Sequence, residues 1–310
     1  MERYFKGNFW QTFVLISSFF IISTVQAQNY SASTTITLNE IALEAPKTDT
    51  PRNQLPFSLS VQSVIESQNI YQQLSLQEYL VSIPGLFTQN ANNYAQDLRI
   101  SLRGFGARAA FGIRGIKIIV DGIPETTPDG QGQLDNLPLG LLSSVEVLRG
   151  PSASLYGNAS GGVLYLNTLD QLENETIQLQ SRLGAYGFQS YQLNTSLKGE
   201  KTVALLHINR TKTDGFRQYS GFEQTLFNAK IKHRFSSKST LQLQLNYTDS
   251  PRAEDAGGIT LEDTEADWSQ ARQRNVEYDT YESVNQFKSG LRWQQDWGDQ
   301  WNLDTYGFYT

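Results

Sequence analysis

Two arginines, Arg108 and Arg114, flank the short segment Ala109-Ala110-Phe111-Gly112-Ile113, and Gln131 and Gln133 follow further along the chain. Guanidinium forks grip planar oxyanions through paired N–H donors, so this set suits a compact anion rich in carboxylates. A second cationic set is periodic. Lys230, Lys232 and Arg234 stand two residues apart, and Lys288 and Arg292 stand four apart. On a strand each group lies on one face, either as a positive lining for an anionic ligand or as charges paired with acids packed against them. The remaining chemical inventory is thin. The chain has no cysteine and only two histidines, His207 and His233, which excludes disulfide frameworks and thiolate chemistry. No nucleophile–base–oxyanion constellation and no phosphate-binding glycine loop is present, so neither an enzyme nor a bound cofactor is expected. The acidic run from Glu254 to Asp267 lacks EF-hand spacing and reads as a solvated loop rather than a calcium site. A net charge of -6 argues against a nucleic-acid partner.

These residues sit in a chain with four textures. Arg3 and Lys6 precede an apolar run, Phe13 to Ile22, and Val25-Gln26-Ala27 ends in small residues, the three-part pattern of a secretory signal. The apolar run is shorter than the ~20 residues a spanning helix needs. Residues 1–27 are therefore expected to be a signal peptide and residues 28–55 a flexible arm. Within the arm, Ile36 to Leu43 alternates as a strand would.

Residues 56–170 carry short strand patterns and many glycines, with one helical spacing at Leu76, Tyr79, Leu80 and Ile83 stopped by Pro84-Gly85. Leu98 to Leu102 and Ile116 to Val120 read as strands, the latter ending in the turn signal Asp121-Gly122. A small α+β domain is the expectation. From residue 171 the texture becomes long dyad alternation, as in Leu241, Leu243, Leu245 and Tyr247 against Gln242, Gln244, Asn246 and Thr248. Seven strands are expected, at about 176–184, 188–198, 201–211, 223–235, 239–248, 282–295 and 301–310. Their connections are short at one end and mostly longer at the other. Repeated apolar-out, polar-in segments with loops sorted by side are the signature of a transmembrane β-barrel. A soluble sandwich would have no reason to sort its loops.

Four motifs then occur in order: Arg103-Gly104-Phe105-Gly106, Val120-Asp121-Gly122-Ile123-Pro124, Val145-Glu146-Val147-Leu148-Arg149-Gly150-Pro151, and Leu155-Tyr156-Gly157 running on to Gly161-Gly162-Val163. Together they resemble the plug domain of TonB-dependent outer-membrane receptors. Phe111 to Ile116 and Pro128 to Gln133 are most similar to the YncD/PqqU-like subgroup. The resemblance implies an α+β plug followed by a transmembrane antiparallel β-barrel, incomplete here with about seven of an expected 22 strands, the size at which a lumen is plugged. It implies location in the cell outer membrane of a Gram-negative bacterium and contact with its lipid. It also implies uptake of a scarce small molecule driven by TonB with ExbB and ExbD, the cargo being an iron chelate such as a ferric siderophore or ferric carboxylate. Uptake of a redox cofactor such as pyrroloquinoline quinone, or ligand sensing or adhesion without transport, are the alternatives. Leu38, Asn39, Glu40, Ile41 and Ala42 correspond in position to the TonB box, which would add as a strand to TonB. Arg103 and Arg149 are implied to lock the plug to wall carboxylates on later strands, beyond residue 310. The ligand-facing plug loops would offer Asn92, Tyr94, Arg108, Arg114, Gln131 and Gln133.

Overall fold

The computed structural model describes residues 43–47, 54–65, 68, 70–89, 92–109, 112–132, 134, 136–172, 176–298 and 301–310. The expected signal peptide, the Leu38–Ala42 segment and Gln133 lie outside the described residues.

The short apolar runs become nine short strands: β1 (Ser58–Ser63), β2 (Leu86–Gln89), β3 (Arg99–Leu102), β4 (Ile113–Arg114), β5 (Ile116–Val120), β6 (Ile123–Pro124), β7 (Gln131–Gly132), β8 (Leu142–Arg149) and β9 (Gly162–Thr168). Five of them make one mixed sheet in the order β1-β8-β9-β5-β6, with β5 and β9 parallel. Strands β2 and β3, and β4 and β7, pair separately. Continuous apolar runs such as Val163-Leu164-Tyr165-Leu166 suit strands covered on both faces. One face packs Ile116, Ile118, Val145, Val147 and Leu164 against Leu76, Tyr79, Leu80 and Ile83 around a single helical turn, α1 (Gln77–Leu80). The other gathers Leu59, Ile119, Leu148, Val163 and Tyr165, together with Ala45 from the arm. A second short helix, α2 (Ala153–Tyr156), follows β8. Gly162 is obligatory where β9 meets β8. Its φ is 142°, and a Cβ there would stand 2.2 Å from the Leu148 carbonyl oxygen.

The long alternating segments form one antiparallel meander in chain order: β10 (Ile177–Leu183), β11 (Gln189–Lys198), β12 (Thr202–Thr213), β13 (Phe222–Ser236), β14 (Ser239–Glu254), β15 (Tyr281–Trp297) and β16 (Trp301–Tyr309). All seven expected strands are present. The fifth runs six residues beyond its expected end because a register shift between Ser250 and Ala253 absorbs Pro251, which cannot donate to a regular ladder. Helices α3 (Leu261–Ala266) and α4 (Gln273–Glu277) lie in the connection after β14, α3 beginning with a Thr260–Asp263 capping box.

This sheet inverts the polarity of a soluble protein. Ser190, Gln192, Asn194, His207, Asn209, Asn228, Lys230, Gln242, Gln244, Lys288 and Arg292 are buried, whereas Leu179, Tyr191, Phe227, Ile231, Tyr247, Phe287, Leu291 and Trp297 are exposed. The buried polar face is the wall against which the α+β domain packs.

Candidate functional site

The tightest contacts between domain and wall gather on the turn that joins β5 to β6. Asp121 adopts φ 48° and Gly122 φ 86°, the left-handed pair that closes a two-residue hairpin. The Asp121 carboxylate accepts the Thr168 amide at 2.8 Å, the Thr168 hydroxyl at 2.6 Å, Lys230 Nζ at 3.1 Å and Gln244 Nε2 at 3.3 Å. Its carbonyl oxygen accepts Gln242 Nε2 at 3.2 Å and Arg292 Nη1 at 3.3 Å. A Cβ on Gly122 would stand 2.4 Å from the Arg292 guanidinium. Next along the chain, Ile123 packs against the wall where Gly290 leaves room, since a Cβ there would lie 2.5 Å from Ile123 Cδ1. Glu125 then meets Lys288 Nζ at 2.5 Å, both side chains 6% exposed. Asp170, just past β9, bridges Lys230 and Lys232 at 3.0 and 2.8 Å. Burial opposes the charge on Asp170, but Lys230 and Lys232 outweigh it and hold the carboxyl below its ordinary range. Of the two readings open for the wall cations, the geometry favours pairing with plug-side acids for Lys230, Lys232 and Lys288. Arg292 instead makes a bidentate pair with Asp304 of β16 and stands 3.6 Å from Glu44. Arg234 is exposed.

The arm enters at the same end of the wall. Ala45 is fully buried, and Glu146, the acid of the Val145–Pro151 motif, is 0% exposed beneath it. Glu146 accepts the amides of Glu44 and Ala45, the latter at 3.0 Å, and Asn167 Nδ2 at 2.8 Å. Tyr156 donates its hydroxyl to the Ala45 carbonyl at 2.6 Å, and Lys47 lies over the Tyr156 ring. Leu43–Lys47 is thus strapped to the underside of the sheet. Burial pushes the Glu146 carboxyl above its ordinary range, although the three N–H donors pull it back.

The predicted ligand loops lie elsewhere. Asn92 is exposed at φ 52°. Asn93 and Gln96 donate to Asp255 at 2.6 and 3.2 Å, and Tyr94 stacks on Phe222 with ring centroids 4.9 Å apart. Tyr94 is therefore engaged with the wall, beside a cavity of about 60 Å³ that it lines with Gln73, Asn209 and Phe222, room for a few waters. Arg217, which sequence inspection did not single out, donates to the carbonyls of Ala256, Gly257 and Gln270 and joins the two long connections. Arg108 is exposed and makes no ion pair among the described residues. Arg114 donates to Gln131 Oε1 at 3.1 Å and stands 3.9 Å from Asp129. The structure thus brings Arg114 and Gln131 together.

Neither predicted lock arginine meets a wall carboxylate among the described residues. Arg149 donates to the Pro84 carbonyl at 2.9 Å and to the Ser60 hydroxyl, both within its own domain. Arg103 is exposed at φ 50°, its amide bonded to the Gly85 carbonyl at 3.1 Å.

Residues 51–163 match the protein family described as the TonB-dependent Receptor Plug Domain. Over these residues the chain is similar to a TonB-dependent receptor plug. The hemin receptor of Yersinia enterocolitica is 29% identical to it over 241 residues, covering 72% of this chain and 34% of that protein. The ferric yersiniabactin uptake receptor FyuA of Yersinia pestis shares 18% identity at a TM-score of 0.62, covering 81% of this chain and 40% of that one. The unliganded ferric citrate transporter FecA shares 20% identity at 0.63, covering 81% and 39%. The fold is a plug followed by antiparallel strands of a receptor barrel, and the chain spans about a third of the length of the curated relative.

The strap under the plug gives a first expected result. Glu146→Ala leaves the amides of Glu44 and Ala45 without a partner, at about 1–3 kcal/mol per buried group. Amide exchange at both residues should accelerate about 100-fold, tenfold for each 1.4 kcal/mol. Glu146→Gln keeps an acceptor and removes the titration. With a folded pKa raised by burial, the wild-type contribution is full below the ordinary glutamate range and declines as pH rises through the raised value. Protection factors, which divide out the intrinsic pH dependence of exchange, should show that slope in wild type and lose it in Glu146→Gln. Unchanged exchange at Glu44 and Ala45 in Glu146→Ala would remove Glu146 from the strap.

Proposed function

We propose that this chain is part of an outer-membrane receptor that imports a scarce anionic small molecule, an iron chelate, with energy delivered through TonB. The observation that carries the reading is the inverted wall, polar against the plug and apolar outside. Outward Phe227, Tyr247 and Phe287 lie in register across β13, β14 and β15. Ten residues further along β15, Trp297 pairs with Trp301. At about 3.3 Å per residue and a strand tilt near 40°, the two aromatic rows stand roughly 25 Å apart, the height of the apolar band in outer-membrane barrels. That supports insertion in the outer membrane, which requires export by the N-terminal signal.

Chelated iron as cargo is supported by the receptors the chain resembles, named for hemin, ferric yersiniabactin and ferric citrate. Arg108 and Arg114 supply guanidinium groups for carboxylate oxygens. The likeness of Phe111 to Ile116 and of Pro128 to Gln133 to the YncD/PqqU-like subgroup supports a redox cofactor, pyrroloquinoline quinone, as the second cargo; it is a planar polycarboxylate. The test is uptake of radiolabelled ferric citrate, hemin and pyrroloquinoline quinone by cells producing the full-length protein, with and without a proton-motive force. Energy-dependent accumulation of one of them is expected. Accumulation that persists in cells lacking TonB would overturn the reading.

A further inference from the structure

We infer that the β5–β6 hairpin is the seat that holds the plug in the barrel, through plug carboxylates on wall cations. This rests on the plugged-barrel reading above. Three observations carry it. First, the contacts are concentrated: Asp121, Glu125 and Asp170 of the plug side meet Lys230, Lys288 and Lys232 of the wall, and Asp121 alone gathers donors from β13, β14 and, through its carbonyl, β15. Second, the two inner pairs are dry. Lys230 and Asp121 side chains are 7% and 10% exposed, and Lys288 and Glu125 are 6% each. In such surroundings removing one partner strands a charge, so the pairs hold only when both are present. Third, the surfaces interlock sterically, with Gly122 under the Arg292 guanidinium and Ile123 against Gly290, where any side chain would collide. The same knot binds the plug's exit, since Lys230 also bonds the Thr168 hydroxyl at 2.7 Å and Asp170 at 3.0 Å. Strand β6 is one edge of the plug sheet and β1 is the other. The arm meets the seat at the β6 edge, since Arg292 donates to the Asp121 carbonyl and stands 3.6 Å from Glu44.

The test is single-channel conductance of the full-length protein in planar bilayers, with folding checked by heat-modifiable mobility and surface display. Wild type should be silent and deletion of residues 56–170 should conduct. Glu125→Lys and Lys288→Glu should each raise the open probability at least tenfold, and the two combined should return it to the wild-type level. Asp121→Asn, which keeps the left-handed turn and the Thr168 contact but loses the charge facing Lys230, should also conduct. If the plug deletion conducts but the folded single variants stay silent, the seat is wrong and the plugged barrel stands. A leak undiminished in the charge-swapped pair also sinks the seat, because general damage explains it. No conductance from the plug deletion overturns the barrel reading and the seat with it.

Discussion

Deleting Leu38–Ala42 from the full-length protein is expected to abolish energised uptake and to leave cargo binding at the cell surface unchanged. In the proposed coupling, strand addition to TonB would rest on main-chain hydrogen bonds, so removing the segment would remove the coupling surface whole, whereas a point substitution there would spare most of it. The separation of the two effects follows from the wall. The strap just after the deleted residues reaches Arg292, near the short turn that ends β15. The plug loop carrying Asn93 and Gln96 docks on Asp255, beside Tyr281 at the other end of the same strand. Eleven residues separate Tyr281 from Arg292, close to 30 Å along the barrel at about 3.3 Å per residue and a tilt near 40°. A change at one end has no direct contact with the other. Uptake of labelled cargo falling to background while equilibrium binding to whole cells keeps its Kd is the expected pair of results. Loss of binding in step with transport would show that the segment supports the plug fold instead.

The double variant Arg108→Ala, Arg114→Ala is expected to weaken cargo binding by two orders of magnitude or more. A charge-assisted hydrogen bond contributes roughly 1.5–3 kcal/mol, and each 1.4 kcal/mol is tenfold in affinity. The two arginines are unequal. Arg108 has no ion pair among the described residues, whereas Arg114 is shared with Gln131 and faces Asp129. Arg108→Ala alone should therefore cost more than Arg114→Ala. Asp129→Asn, which frees Arg114 from its neighbouring carboxylate, should tighten binding. Both side chains are exposed, and neither bonds a residue of the Asp121 seat, so surface levels should hold. Titration calorimetry of the purified receptor with each candidate chelate measures all four variants. An affinity for every anion that ignores the double substitution would transfer cargo choice to the wall and outer loops.

Alternation along residues 176–310 was sufficient to place seven strands and to assign their faces, because the side-chain period of a strand is two and a one-residue slip exchanges the faces. The buried state of Lys230 and Lys288 followed from that same parity. Local chemistry also sufficed for the Asp121-Gly122 turn, which needs two left-handed residues, and for the helical turn at Leu76–Ile83. The partners of these groups were beyond reach. Asp121 and Lys230 are 109 residues apart in the chain, and nothing local to either names the other. Arg149 sits in a legible strand motif, yet it bonds Ser60 and Pro84, 89 and 65 residues away, because the pairing of β1 with β8 brings Ser60 beside it. Tyr94 was legible as a loop aromatic, but only packing turned its ring onto Phe222. Glu146 looked like one more polar residue on a strand. Its role as acceptor for Glu44 and Ala45 arises because β8 lies inside its sheet, between β1 and β9, and the arm crosses beneath it. Periodicity determined which way each side chain points, and chain crossing in three dimensions decided what it meets there.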